Sequence, residues 1–145
     1  MSTVRSSWPL SVPVGLASRL WTDVDRWPTF IDGFGHVVEI DDNWPQVGSQ
    51  VVWQSGPAGR GRVTERVLER DDDHVVTQVF EDQLSGRQSL FFEPGRVLMQ
   101  LDYDLTTGGP LRKVTDVLFI RRALASALER TLRRFSTEAE DEAAL

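Results

Sequence analysis

Two periods divide the chain. Up to about residue 106 apolar side chains recur at every second position, and beyond about residue 111 they recur every three to four. Over residues 4–11, Val4, Ser6, Trp8 and Leu10 share one face of a predicted first strand. Pro13 suits the first turn of a helix, and Leu16, Leu20 and Trp21 follow at helical spacing. Asp25 predicts a turn or N-cap before a second short helix over residues 26–31, which Gly33 ends. Strands are then predicted at 37–40, 49–55, 62–70, 74–82, 88–93 and 97–106, with "LSGR" and "EPGR" read as turns. The last of these is the cleanest. Val97, Met99, Leu101, Tyr103 and Leu105 point one way, and Leu98, Gln100, Asp102, Asp104 and Thr106 point the other. One wet and one covered face mark an antiparallel sheet.

The second period begins after "TTGGPL", with Pro110 near the first turn of a helix. Leu111, Val114, Val117, Leu118, Leu124, Leu128, Leu132 and Phe135 form one apolar stripe, predicting a helix of about seven turns, roughly 37 Å long. Residues 137–145 read as a frayed acidic tail. A strand, two short helices, about six consecutive antiparallel strands and one long helix imply a single α+β domain over residues 1–136. A curved sheet of about seven strands grips the C-terminal helix, and the two short helices close one open end.

Length and composition fit that picture: 145 residues, 40% hydrophobic and 26% charged, are ordinary for one globular domain. No cysteine is present, which excludes disulfides, thiolate metal sites and cysteine nucleophiles. No secretory leader or membrane span is recognisable, so a soluble cytoplasmic protein is expected. The net charge of −6 argues against a phosphate-backbone binder, so no nucleic-acid partner is expected. Residues 111–134 carry seven basic and two acidic side chains, read here as a solvated helix face.

Assembled catalytic motifs are lacking. His36 and His74 stand in unrelated contexts, and "DDDH" before strand 74–82 reads as a solvated hairpin rather than a metal site. There is no Gly-x-Ser-x-Gly, and "GPAGRGR" follows no βαβ pattern, so it is a hairpin rather than a phosphate loop. No metal or cofactor is implied.

Three segments carry a resemblance: "VPVGLASRLWTDVDRWPTF", "VVEIDDNWPQVGSQVVW" and "GGPLRKVTDVLFIRRALASALERTLRRF". The chain resembles the helix-grip superfamily of START lipid-transfer domains, birch-pollen-allergen-like proteins and polyketide cyclase/dehydrase-like proteins, often called SRPBCC. The likeness covers nearly all of residues 3–136. It implies a cavity between the sheet and the C-terminal helix for lipids, polyketides or other apolar molecules. The motifs shape the scaffold and hold no catalytic group, so they do not separate carrier from cyclase or aromatase.

On that frame the expected wall includes Trp53, Met99, Leu101, Tyr103 and Leu118, with the mouth near Trp27 and Phe30. At 100° per residue Arg121 falls within the apolar stripe. It either meets an inward carboxylate, with Glu65 a candidate if Val63, Glu65 and Val67 face inward, or holds an acidic or carbonyl group of the ligand. Tyr103 is either a core tyrosine bonded to the backbone or a cavity hydroxyl. Trp53 is core or wall. Three functions follow. The first is binding of a small hydrophobic molecule with an acidic or carbonyl end. The second is a cyclase in which Tyr103 and Arg121 steer proton transfer. The third is an interaction module whose Arg122, Arg130, Arg133, Arg134 and Phe119 seat an acidic partner or a second copy as a homodimer.

Overall fold

The computed structural model describes residues 1–57, 59–106 and 114–145, with side chains from 118 onward in the last segment. In chain order the elements are β1 (Ser2–Leu10), α1 (Val14–Thr22), a 3-10 turn (Val24–Arg26), α2 (Trp27–Phe30), β2 (Phe34–Ile40), β3 (Gln50–Ser55), β4 (Arg62–Arg70), β5 (His74–Phe80), β6 (Leu84–Glu93), β7 (Gly95–Leu105) and α3 (Val114–Ala143). The strands form one seven-stranded sheet in the order β1-β7-β6-β5-β4-β3-β2. All its pairings are antiparallel, so consecutive hairpins build the sheet and the first strand closes against the last. This is the helix-grip fold.

Period-2 alternation sets the inner face. Val51 and Trp53, Val63 and Val67, Val75 and Val79, Leu90 and Phe92, and the series Val97, Met99, Leu101, Tyr103 are all buried. The facing of β4 is thereby settled: Val63, Glu65 and Val67 point inward, and Arg62, Arg66 and Leu68 point out.

Two aromatic clusters fasten the short helices. In one, Phe135 of α3 meets Trp21 at 5.2 Å, Phe30 at 5.1 Å and Phe92 at 6.0 Å between ring centroids. In the other, Trp27 packs edge-on against Phe34, Trp44 and Trp53. The Trp27 indole N–H donates to the Trp21 carbonyl at 2.7 Å, and that of Trp44 donates to the Thr22 carbonyl at 2.9 Å. One buried and one half-buried indole thus satisfy carbonyls at the end of α1. The cap of the 3-10 turn is Asp23, whose carboxylate accepts from the Asp25 N–H, rather than Asp25 itself.

Two sequence expectations are corrected. "LSGR" is strand, not turn, and the chain reverses instead around Asp82 and Gln83. A Cβ at Gly86 would lie 2.2 Å from the Asp102 carbonyl oxygen, so glycine is there for close approach to β7. The acidic tail is not frayed either: α3 runs on to Ala143. Glu138 and Glu142, one turn apart, both bind the Arg26 guanidinium, and Ala139 between them is fully buried. Pro110 and Leu111 lie outside the described residues, as do the side chains of Val114 and Val117.

Truncation after Ser136 would remove Ala139 and both partners of Arg26. The expected loss is about 1–2 kcal/mol of stability, because the ion pairs are partly solvated and contribute little each. Urea unfolding of the two chains measures it, and an unchanged midpoint would return the segment to a frayed tail.

Candidate functional site

A cavity of about 390 Å³ lies between the inner face of the sheet and the N-terminal half of α3. Its wall joins Trp53 of β3, Met99, Leu101 and Leu105 of β7, Leu84 of β6, and Ile120, Leu124, Ala127 and Leu128 of α3. The space exists because α3 packs closely only over its C-terminal part. Leu128, Leu132, Phe135 and Ala139 are buried, whereas Phe119 is 73% exposed and Leu118 49% exposed. The exposed lining residues Gly33, Gly59, Gln83, Phe119 and Ala123 mark the mouth.

One polar line crosses the apolar floor. Glu65 is 6% exposed, and its carboxyl accepts from the Trp53 indole N–H at 2.8 Å, from Thr77 Oγ1 at 3.2 Å and from Gln88 Nε2 at 3.4 Å. Strand register makes this line. Trp53 is opposite Val63 and Glu65 opposite Val51, so Trp53 and Glu65 are diagonal neighbours on one face. Thr77 is opposite both Val67 and Gln88, which carries the line on to β6. Burial pushes the Glu65 carboxyl up, against the opposing pull of the Trp53 N–H and the Arg60 charge.

At the rim, Arg60 is ion-paired to Glu81, and its guanidinium carbon lies 5.5 Å from the centroid of the Trp53 ring. Burial pushes the Glu81 carboxyl up, with Arg60 opposing. On the far side Asp32 accepts from Arg130 Nε at 3.0 Å and from Arg134 Nη1 at 3.1 Å. Hydrogen bonding from Arg130 holds the Asp32 carboxyl below the usual carboxylate range. Two of the four helix arginines expected to face a partner are thus tied to the protein's own loop.

Of the expected wall residues, Trp53, Met99 and Leu101 line the cavity. Tyr103 is buried in the sheet core and is not among the lining residues. Leu118 is half exposed and lies away from the lining. Arg121 is exposed and does not line the cavity. Ile120, Leu124, Ala127 and Thr131 centre the cavity-facing surface of α3 about 90° from Arg121 at 100° per residue. The alanines, which the apolar stripe passed over, turn that face. Trp27 and Phe30 are 2% and 0% exposed, so they are core rather than mouth. The mouth borders on the next residues instead, Ile31, Asp32 and Gly33.

Sequence reasoning weighed Glu65 only as a partner for Arg121, and it missed Thr77 and Gln88 altogether. The available signal was a polar residue on the apolar face of each of three consecutive strands.

Glu65 also gives the stability a pH dependence with a definite sign. Its folded pKa lies above the unfolded value of about 4.3, so its favourable contribution is complete below that pH and is lost as pH rises through the folded value. Asp32 acts oppositely, losing its contribution only as pH falls through its depressed value. Glu65→Gln is therefore expected to flatten the decline of stability as pH rises above the unfolded carboxyl's value, by about 1.4 kcal/mol for each pKa unit removed. Urea unfolding across that range checks it, and parallel slopes in the two proteins would contradict it.

The family model described as polyketide cyclase/dehydrase and lipid transport matches residues 1–140. No curated protein matches the sequence. Among solved structures, a Thermus thermophilus protein superposes with a TM-score of 0.76 at 16% identity, covering 97% of this chain and 99% of that one. Norcoclaurine synthase from Thalictrum flavum, in complex with dopamine and hydroxybenzaldehyde, gives 0.70 at 11% identity over 97% and 87% of the two chains. A START superfamily protein from Mycobacterium smegmatis gives 0.70 at 12% identity over 96% and 97%. At these identities the structural likeness carries the fold.

Proposed function

This chain belongs to the polyketide cyclase/dehydrase and lipid transport family, and from that premise we propose that it binds a small hydrophobic molecule in the cavity between the sheet and α3. The observation that carries the reading is the cavity of about 390 Å³, apolar in most of its wall and crossed by one satisfied polar line at Glu65. An apolar chamber with few fixed polar groups suits a ligand that is mostly hydrocarbon or aromatic and is oriented by one polar atom. Trp53 serves as wall and as reporter, because its ring lines the space and its N–H holds Glu65.

The test is a titration with N-phenyl-1-naphthylamine, a neutral dye that brightens on leaving water. Saturable binding of one dye per chain, with energy transfer from tryptophan, is expected. A linear, unsaturable response would remove the reading.

A second reading, a cyclase-type enzyme, is favoured by one observation: Glu65 is a buried carboxyl facing the cavity, where a general acid or base would stand. In that reading Glu65 replaces Tyr103 and Arg121 as the proton-handling group. Turnover of an identified substrate that survives Glu65→Gln unchanged would dismiss it.

A further inference from the structure

We propose that residues 31–33 form a strap at the cavity mouth, latched to α3 through Asp32, and that release of this latch sets the rate at which a ligand enters and leaves. This goes beyond the binding reading above and rests on it.

The strap hangs between two aromatic anchors. On one side Phe30 is fully buried, its ring centroid 5.4 Å from that of Trp21 and 5.1 Å from that of Phe135. On the other, the ring of Phe34 lies 5.3 Å from that of Trp53. The three residues between them belong to no helix or strand, and all three line the cavity. Toward the sheet, the Gly33 carbonyl accepts from the Gly56 N–H at 2.8 Å. Toward α3, the polar contacts of the strap all pass through Asp32 among the described residues. Its backbone N–H donates to Thr131 Oγ1 at 3.0 Å. Its carboxylate accepts from Arg130 Nε and Nη2, each at 3.0 Å, and from Arg134 Nη1 at 3.1 Å. Thr131 itself lines the cavity, so the seam between strap and helix runs along the chamber wall.

These contacts suit a closure that has to open. The paired bonds from Arg130 fix direction as well as distance. Yet Asp32 and Arg130 are only half-buried and Arg134 is exposed, so water reaches the ion pairs and each is weak alone. The anchors are packed rings, whereas the latch is solvated, so the latch gives way first. Gly33 supplies the freedom to move: it sits at φ +75°, and a Cβ there would meet no atom within 4 Å. The mouth is bordered by Gly33 on the strap side and by Phe119 and Ala123 on the helix side, so parting strap from helix widens it.

A second clamp on the same helix supplies the contrast. Arg26 holds Glu138 and Glu142, about two turns or more beyond Thr131, the last lining residue of α3. It fastens the helix without touching the mouth.

The experiment follows N-phenyl-1-naphthylamine entering and leaving the full chain by stopped-flow fluorescence. Asp32→Ala should raise the association and dissociation rate constants together, at least about fivefold, with Kd held within about twofold, because the latch is the same in the empty and the filled protein. Arg134→Gln, which removes one of the three carboxylate bonds from an exposed position, should raise both about threefold. Arg26→Gln should lower the urea midpoint yet leave both rate constants within about 1.5-fold, since its pairs lie away from the mouth. Unchanged rate constants in Asp32→Ala overturn the proposal. So does faster dissociation with unchanged association, which would make Asp32 part of the binding wall. Equal acceleration by Arg26→Gln overturns it as well, since loss of stability alone would then suffice. If Asp32→Ala does not fold, Arg134→Gln and Arg26→Gln decide by the same criteria. Dye that binds at rates indifferent to these arginines and Asp32 removes only the strap. Failure of the wild type to bind the dye overturns the cavity-binding reading together with it.

Discussion

Trp27→Ala is expected to lower the free energy of unfolding by about 3–5 kcal/mol, the range found when a large aromatic is truncated in a packed core. Trp27 is 2% exposed. Its ring is enclosed by Phe34, Trp44 and Trp53 at centroid distances of 6.1, 6.0 and 6.4 Å. Alanine would leave an indole-sized void that rigid aromatic neighbours cannot close. It would also orphan the Trp21 carbonyl, which now accepts from the Trp27 N–H at 2.7 Å. Both losses fall where the short helices are fastened to the sheet. Urea unfolding followed by far-UV circular dichroism measures the effect. A loss below about 1 kcal/mol would mean that the indole swings free of this cluster, and a gating role for Trp27 would return.

Ala127→Trp should have the opposite profile, with binding lost and folding kept. Ala127 projects from α3 into the cavity, and the indole would occupy part of its roughly 390 Å³. Overpacking destabilises when a core has no spare volume, but here the added ring meets space rather than atoms. The expected stability change is under about 1.5 kcal/mol in either direction. Affinity for N-phenyl-1-naphthylamine should fall at least about tenfold. If the variant folds normally and binds the dye as the wild type does, the ligand sits elsewhere on the molecule.

Much of the fold was legible because its signals are local and repeated. Alternation in β7 from Val97 to Leu105 could hardly be read otherwise, and the switch to helical spacing marked α3. What failed was information held in tertiary context. Gly86 within "LSGR" looked like turn chemistry, but it is a glycine pressed against the backbone of β7. Glu138 and Glu142 looked like a solvated charge run until Arg26, more than a hundred residues earlier, was brought beside them.

The site was legible in part, for a physical reason. Apolar spacing identifies a helix face, but not which portion of that face has something packed beneath it. Arg121 is aligned with Leu128 and Leu132, yet α3 stands off from the sheet at its level and is rotated so that Ile120, Ala127 and Thr131 look into the space. The large apolar surface of Trp27 and Phe30 suggests a mouth, and that same surface is what buries them. Glu65 escaped notice as a cavity group because one acid in a strand is commonplace. Its meaning comes from alignment with Trp53, Thr77 and Gln88 across four strands, which only the register supplies.

The central claim is that a ligand occupies the space beside Glu65. Of the five tryptophans, Trp53 alone lines the cavity and donates its indole N–H to that carboxyl. Five indole signals are therefore expected in a proton–nitrogen correlation spectrum of the labelled protein. On titration with N-phenyl-1-naphthylamine the Trp53 indole signal should shift most and saturate, together with the backbone amides of Leu124 and Ala127. A Trp53 signal that stays fixed while shifts gather at the exposed outer-face residues Phe80 and Phe91 would contradict the account.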